Sequence, residues 1–239
     1  MSYRTTLRFL GAKKLGQPGC LEAAFDAIFG LGFHEASYIH VGSYETGLHA
    51  NWNTFSEQVL AGLDVAYEKG HLSFLATDDR KDELSYSSLW LDFSWEYTAD
   101  GRPTKQKFYA ETKNSQLFTR REFDREFYAQ RMLSVGMKLY PILQPEFGWM
   151  ERCPIRGYTS MKDVGSLALP HIYWANFFSP SYVKKLSRSF LKNAPGWRKQ
   201  DLDDGGFLYV LSPDMAGTGK NKLAKEVKEY FDVTSVRRK

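Results

Sequence analysis

The segment WLDFSWEY, residues 90–97, carries the clearest structural pattern in the chain. Its apolar and polar residues alternate, the apolar ones being Leu91, Phe93, Trp95 and Tyr97. A period of two is typical of a strand with one buried face, because successive side chains point to opposite sides of a sheet. The turn-forming residues ADGRP (99–103) follow, and KQKFYAET (105–112) can return as the partner strand. The sequence therefore predicts a β-hairpin at the centre of the chain.

Further strands and helices are predicted on both sides of this hairpin. Strand-like patterns lie at residues 3–10, 71–77 and 172–178, and a strand pair is predicted around Asp203-Asp204-Gly205-Gly206, with FLYVL (207–211) as its return strand. Helical periodicity begins near Cys20, Thr54, Thr119, Pro180 and Lys222. Thr54 with Glu57, and Thr119 with Glu122, have the spacing of a capping box, and the second of these helices is expected to run to about Leu139. The mixture predicts an α+β fold, in which helices pack on an antiparallel or mixed sheet.

Prolines and glycines crowd the segment from 141 to 165, which includes Pro141, Pro145 and Pro154. Such residues punctuate regular structure, so we expect irregular loops here. We interpret residues 1–239 as a single α+β domain that contains these loops. The alternative is a chain of two halves that meet near residues 140–170.

Charge and composition narrow the class of protein. The net charge is only +4, from 32 basic and 28 acidic residues, and the two signs are interspersed. A nucleic-acid-binding protein usually concentrates basic charge on one face, so the composition argues against that class. We also see no apolar run long enough to cross a membrane and no secretory signal. Two distant cysteines, Cys20 and Cys153, suit a reducing compartment. These features predict a cytoplasmic protein.

The segment GTGK, residues 217–220, looks like part of a phosphate-binding loop. The full motif needs a glycine five residues before the second of these glycines and a hydroxyl residue directly after the lysine. Asp214 and Asn221 occupy those two positions. We therefore expect a turn that leads into the last helix, and no bound nucleotide.

Motifs for catalysis or metal binding are equally incomplete. His34, His40 and His49 lie close together beside Glu35, but their spacing matches no standard zinc site. There is no Gly-x-Ser-x-Gly motif, and neither cysteine lies in a motif. We expect no enzyme activity, no metal and no cofactor. An enzyme or nucleic-acid-associated protein of a mobile element, with a site assembled from distant residues, stays open as the alternative.

Three segments in the last hundred residues share an ordered pattern: PILQPEFGWMER (141–152), LPHIYWANFFSPSYVKKL (169–186) and DLDDGGFLYVLSP (201–213). This series resembles the bacterial immunity proteins of polymorphic toxin systems, most closely the immunity protein 52 family. The chain has Ser179 where that family commonly has glycine. The matching residues, which we expect to serve the architecture, are Phe147, Gly148, Trp149, Trp174, Asn176, Phe178, Pro180 and Tyr182.

The resemblance implies a non-catalytic inhibitor that binds a cognate toxin of a type VI or contact-dependent system. Such a protein needs exposed anchors and charge complementary to its partner. We expect two partner surfaces: the exposed side of the 90–112 hairpin and a basic helix face on which charges recur every four residues. The residues predicted to bind the partner are Asp92, Glu96, Lys105, Lys107, Lys184, Arg188 and Lys192.

Overall fold

The computed structural model describes residues 4–41, 63–78, 88–113, 122–153, 159–213, 215, 222–232 and 235–236. Several features singled out in the sequence lie outside these ranges. They are the capping residues Thr54, Glu57 and Thr119, His49, and the GTGK segment 217–220.

One large antiparallel sheet organises the chain. The described strands are β1 (Arg4–Leu10), β2 (Phe33–Val41), β3 (His71–Asp78), β4 (Ser88–Tyr97), β5 (Pro103–Lys113), β6 (Phe147–Cys153), β7 (His171–Ile172), β8 (Ala175–Phe178), β9 (Arg198–Asp201), β10 (Phe207–Val210) and β11 (Ser235–Val236). Nine of them form a sheet in the order β2-β3-β4-β5-β1-β6-β8-β10-β9, with every neighbouring pair antiparallel. β7 and β11 form a separate parallel pair.

The central hairpin predicted from WLDFSWEY is confirmed. Phe93 in β4 lies opposite Leu72 in β3 and Phe108 in β5, and all three side chains are buried. The apolar positions of the alternating pattern therefore form one continuous buried row across three strands. The opening strand and the strand at 71–77 are confirmed as β1 and β3.

The described helices are α1 (Cys20–Phe29), α2 (residues 63–69), α3 (Glu122–Leu143), α4 (Met161–Gly165), α5 (Pro180–Leu186), α6 (Arg188–Asn193) and α7 (Lys222–Phe231). α1 and α3 cover one face of the sheet. The ring of Phe25 lies 5.4 Å from that of Phe74, and the ring of Tyr140 lies 5.9 Å from that of Phe177. These contacts and the antiparallel sheet confirm the α+β class.

The opposite face is covered over β6, β8 and β10. Tyr182 of α5 packs on Phe147 with 5.3 Å between ring centres, and Phe231 of α7 packs on Tyr209 at 5.4 Å. Over β1, β5, β4, β3 and β2 the same face carries polar, charged and aromatic side chains, of which Thr6 and Ser73 are fully buried.

The expectation of irregular loops over 141–165 is wrong. Pro141 lies inside α3, which continues to Leu143 rather than ending near Leu139. Residues Phe147–Cys153 form β6, which pairs with both β1 and β8. β6 is packed on both faces along Phe147–Met150, so its sequence lacks the alternation that marks a half-exposed strand.

Two elements near residue 180 are interrupted where one strand and one helix were expected. The segment 172–178 contains the end of β7, a turn and β8. In that turn the Asn176 side chain accepts a hydrogen bond from Tyr173 N at 3.0 Å and donates to Tyr173 O at 2.8 Å. The helix after Pro180 stops at Ser187, whose φ is +69°, and restarts as α6. The basic stripe of Lys184, Arg188 and Lys192 therefore does not lie on one helix.

None of the helices in the described parts of the chain is long and apolar enough to cross a membrane.

Candidate functional site

We name the part of the opposite sheet face that β1, β5, β4, β3 and β2 form the polar face. Strand alternation places charged, polar and aromatic residues there, because residues two apart on a strand share a side. Its described members are Thr6, Arg8, His40, His71, Ser73, Trp90, Asp92, Ser94, Lys107, Tyr109 and Glu111.

The strand register aligns these residues into rows. The central row runs directly across six strands, in the order His40, Ser73, Asp92, Tyr109, Arg8 and Trp149. A neighbouring row contains Trp90, Glu111, Thr6 and Glu151. Directly opposite residues have Cβ atoms about 4.5–5.5 Å apart, so each row forms a continuous surface.

Arg8 and Tyr109 form the centre of the polar face. The Arg8 guanidinium carbon lies 4.9 Å from the centre of the Tyr109 ring, which is the geometry of a cation–π contact. The Tyr109 hydroxyl donates a hydrogen bond to the Glu111 carboxylate. All three side chains are half-buried, so they are fixed by neighbours yet still reach solvent.

A second cluster lies toward the β2 edge. His71 Nε2 and Asp92 Oδ2 are 3.3 Å apart, and their side chains are 17% and 22% exposed. The rings of His40 and Trp90 have centres 6.0 Å apart. Two imidazoles, a carboxylate and an indole add hydrogen-bonding groups and a large flat contact surface here.

Two hydroxyl groups on the polar face have unused hydrogen-bonding capacity. Thr6 and Ser73 are fully buried, and neither Thr6 Oγ1 nor Ser73 Oγ has a hydrogen-bond partner. A buried polar group without a partner costs about 1–3 kcal/mol.

Ser73 lies between His40 and Asp92, which are residue types that also occur in hydrolytic triads. Activation would require a hydrogen bond from Ser73 Oγ to an imidazole, and Ser73 Oγ has none. Burial raises the pKa of the Cys20 thiol to about 12, so Cys20 is protonated at neutral pH. The described parts of the chain contain no group of three or more His, Cys, Asp or Glu residues that could hold a metal ion.

The two predicted partner surfaces lie far apart. Asp92 and Lys107 belong to the polar face, while Glu96 and Lys105 form an exposed ion pair of 2.6 Å near the end of the hairpin. β4 and β9 are six strand spacings apart in the sheet order, which is about 29 Å at ~4.8 Å per strand. The sheet therefore does not bring the hairpin surface and the basic helix residues into one site.

The basic helix residues have separate surroundings. Arg188 donates hydrogen bonds to the Asp201 carboxylate and to Gly205 O, the latter at 2.9 Å. Lys192 lies 2.8 Å from the same carboxylate, whose pKa is held below its usual value chiefly by the Lys192 hydrogen bond. Lys184 is exposed on α5. Arg188 and Lys192 thus fasten α6 to β9, and only Lys184 is left without such a link among these three.

The residues that carry the family resemblance lie mostly in the core. Those with 2% exposure or less are Phe147, Trp149, Trp174, Asn176, Phe178 and Tyr182. Pro180 is exposed in the first turn of α5. Ser179, the departure from the family pattern, caps α5 and donates a hydrogen bond to Glu146 Oε1 at 2.8 Å. Ser179 therefore links two of the three matching segments.

Sequence reasoning missed the residues at the centre of the polar face, above all Arg8 and Tyr109. Each is the polar or amphipathic position of an alternating strand, between Leu7 and Phe9 or between Phe108 and Ala110. That alternation could have predicted that both side chains point to the sheet face opposite the core. Their proximity across β1 and β5 was not visible, because 101 positions separate residue 8 from residue 109.

Comparison with known proteins gives a likeness of fold. No protein-family model matches the chain, and a search of curated proteins found no match. Among solved structures, the Pseudomonas aeruginosa T6SS protein PA0821 is similar, with a TM-score of 0.54 and 14% sequence identity. The match covers 97% of this chain and 72% of that one. At this identity the likeness shows a shared fold.

Proposed function

We propose that this chain is a non-catalytic immunity protein of a type VI or contact-dependent system, which binds and neutralises a cognate toxin in the bacterial cytoplasm. The observation that carries the proposal is the polar face, a rigid sheet surface with half-buried arginine, tyrosine and tryptophan side chains. These three residue types dominate the energy of protein–protein interfaces. Side chains held on a sheet lose little freedom on binding, which favours tight association.

Two further observations support the same proposal. The chain shares its fold with a protein described as part of a type VI secretion system (T6SS), and the match spans nearly the whole of this chain. Its C-terminal segments resemble the immunity protein 52 family.

Co-expression tests the proposal directly. If the reading frame directly upstream encodes a toxin-like protein, that protein would be induced in a susceptible host with and without this chain. We expect growth to be restored by this chain and a stoichiometric complex to be recovered by size-exclusion chromatography. Continued killing, together with no complex between the purified proteins, would refute the immunity function.

A second measurement separates binding from catalysis. Toxin released from the complex by denaturant and refolded should regain its activity and keep the mass expected from its sequence. A changed mass, or a protective effect at far less than one equivalent of this chain, would indicate an enzyme that modifies the toxin. Protection of the host from the toxin should rise in proportion to the concentration of this chain, as expected for a stoichiometric inhibitor.

A further inference from the structure

We infer that the toxin contributes an extended acidic segment, which pairs with the outer edge of β9 and continues the sheet by one strand. This inference rests on the proposed function and assigns to the same partner a second contact, separate from the polar face. β9 is four strand spacings from β1, the strand that carries Arg8, which is about 19 Å at ~4.8 Å per strand. One partner of ordinary domain size, about 30 Å across, can therefore reach both surfaces.

The outer edge of β9 has backbone groups that point out of the sheet. β9 ends the nine-stranded sheet, and among the described strands only β10 pairs with it. Leu202 N donates a hydrogen bond to Gly206 O. Hydrogen-bonded pairs alternate along an antiparallel ladder, so the backbone groups of Gln200 point toward β10, while those of Lys199 and Asp201 point away from it. A row of outward N–H and C=O groups is a template for a further strand.

The segment that leads into this edge is strongly basic. Residues 180–200 contain six basic residues and no acidic residue, and Asp201, Asp203 and Asp204 follow, which leaves residues 180–204 at a net charge of +3. A second copy of this chain would bring the same positive charge to the edge, and like charges on paired strands destabilise the pairing. A strand that carries acidic residues is instead attracted to this edge.

Lys199 and Trp197 offer two side-chain contacts to such a strand. Lys199 is exposed, and its ammonium makes no hydrogen bond or ion pair within the described ranges. The Asp201 carboxylate already accepts a hydrogen bond from Arg188 and lies 2.8 Å from Lys192, so Lys199 is available to a carboxylate of the added strand. Trp197 directly precedes β9 and is 44% exposed. Tryptophan is one of the residue types that most often anchor an interface.

Lys199→Pro and Lys199→Thr separate strand addition from the effect of charge. Both substitutions remove the ammonium, but only proline removes the outward N–H, and proline is tolerated at such positions of an edge strand. We expect Lys199→Thr to raise the Kd for the inactivated toxin of the co-expression experiment by about 2- to 5-fold, and Lys199→Pro by roughly 10- to 100-fold. Isothermal titration calorimetry gives both values, and the melting temperature of each free variant shows whether it is folded.

Lys199→Glu tests whether the added strand is acidic. It should weaken binding by roughly 10-fold more than Lys199→Thr, because it sets one carboxylate against another. Lys138→Glu, at an exposed lysine on α3, makes the same change in net charge, from +4 to +2, and should raise the Kd by about 3-fold or less. Trp197→Ala should weaken binding by about 10-fold, because it removes the aromatic anchor and leaves β9 intact.

The outcomes distinguish this inference from the proposed function. If the wild-type chain binds the toxin and the Lys199→Pro, Lys199→Glu and Trp197→Ala variants bind it equally well, the inference is overturned and the immunity function stands. If Lys199→Pro does not fold, wild-type affinity in the other two variants overturns the inference in the same way. A dimer of the chain alone that Lys199→Pro dissociates would also overturn it, because the edge would then belong to a second copy. Failure of the wild-type chain to bind the toxin would remove the proposed function, and this inference with it.

Discussion

Gly148 shows how a single residue is fixed by packing at the centre of the sheet. A Cβ atom at this position would lie 2.2 Å from Phe9 Cδ1, which is far inside van der Waals contact. Gly148→Ala should therefore lower the free energy of unfolding by about 2–4 kcal/mol, because the core must shift to accept it. Urea denaturation checks the value. Gly165→Ala is the matched control, since nothing lies within 4 Å of its added Cβ, and it should change the free energy by less than about 0.5 kcal/mol.

Glu146 connects a loop, a strand and a helix at one carboxylate. Its Oε2 lies 2.6 Å from Lys13 Nζ, and its Oε1 accepts a hydrogen bond from Ser179. Burial acts to raise the pKa of Glu146, but the hydrogen bonds from Lys13 and nearby serines outweigh it and hold the pKa below its usual value. A lowered pKa in the folded state means that the charged form stabilises the fold above the unfolded value of 4.5.

Glu146→Gln should accordingly lower the free energy of unfolding by about 1–2 kcal/mol at pH 7. The deficit relative to wild type should shrink progressively as the pH falls below 4.5, because the wild-type carboxylate then becomes protonated in the folded state as well. Denaturation curves of both proteins at pH 7, 5 and 3.5 measure this. A deficit that is constant across the series would show that the charge of Glu146 does not contribute.

Residue-level prediction succeeded where a local pattern carried the information. Leu91 and Phe93 were assigned to the core from alternation alone, and both are buried. The constraint on Gly148 was not readable in this way, because Phe9 is far away in sequence and meets it only through the pairing of β1 with β6. The family resemblance singled out Gly148, but it did not show why a glycine is needed at this position.

At the scale of elements, Ser187 decides how the chain turns between α5 and α6. Its φ of +69° is a conformation that favours glycine, and its side chain caps α6 by accepting a hydrogen bond from Phe190 N at 3.2 Å. Ser187→Ala loses the cap and keeps the strain, so it should lower the free energy of unfolding by about 1–2 kcal/mol. Ser187→Gly relieves the strain and should cost only a few tenths of a kcal/mol. Thermal unfolding of the two variants provides the comparison, and equal losses would contradict it.

Strands were predictable where the sequence alternates or forms a short apolar run between turn residues. β4 alternates and was recognised, and the segments that contain β8 and β10 were recognised as strand-like, whereas β6, which is buried on both faces along Phe147–Met150, was missed. The helix after Pro180 was predicted as one piece because Tyr182, Val183, Leu186 and Phe190 keep helical spacing across the break. Hydrophobic periodicity cannot reveal the helix break at Ser187, because the apolar residues on either side of the break keep the same helical spacing.

At the scale of the whole molecule, the polar face depends on register across strands that are distant in sequence. β1 lies between β5 and β6, so Arg8 contacts a residue about a hundred positions later in the chain. The sequence could indicate that these positions are exposed, but not that they share one surface. Of the four partner residues predicted in the hairpin, Asp92 and Lys107 lie on the polar face, while Glu96 and Lys105 lie near the end of the hairpin. Non-local pairing is therefore what assembles the candidate site.

The same central position of β1 predicts how the molecule unfolds. The sheet continues without interruption from β2 to β9 through the pairs β5–β1 and β1–β6, so separating residues 1–140 from the rest would break a fully paired central strand. We therefore predict one cooperative transition for the chain, with tryptophan fluorescence and far-ultraviolet circular dichroism giving the same melting temperature.

Leu91→Ala and Leu208→Ala provide the test of that cooperativity. Both leucines are fully buried, one on β4 and the other on β10, five strand spacings away. Each truncation should cost about 2–5 kcal/mol and lower the melting temperature of the whole protein by several degrees, whichever side of the sheet it lies on. If the two halves were independent, each variant would shift only one of two resolved transitions in calorimetry. A single peak that moves in both variants is expected, since cavities at either end weaken the same continuous sheet.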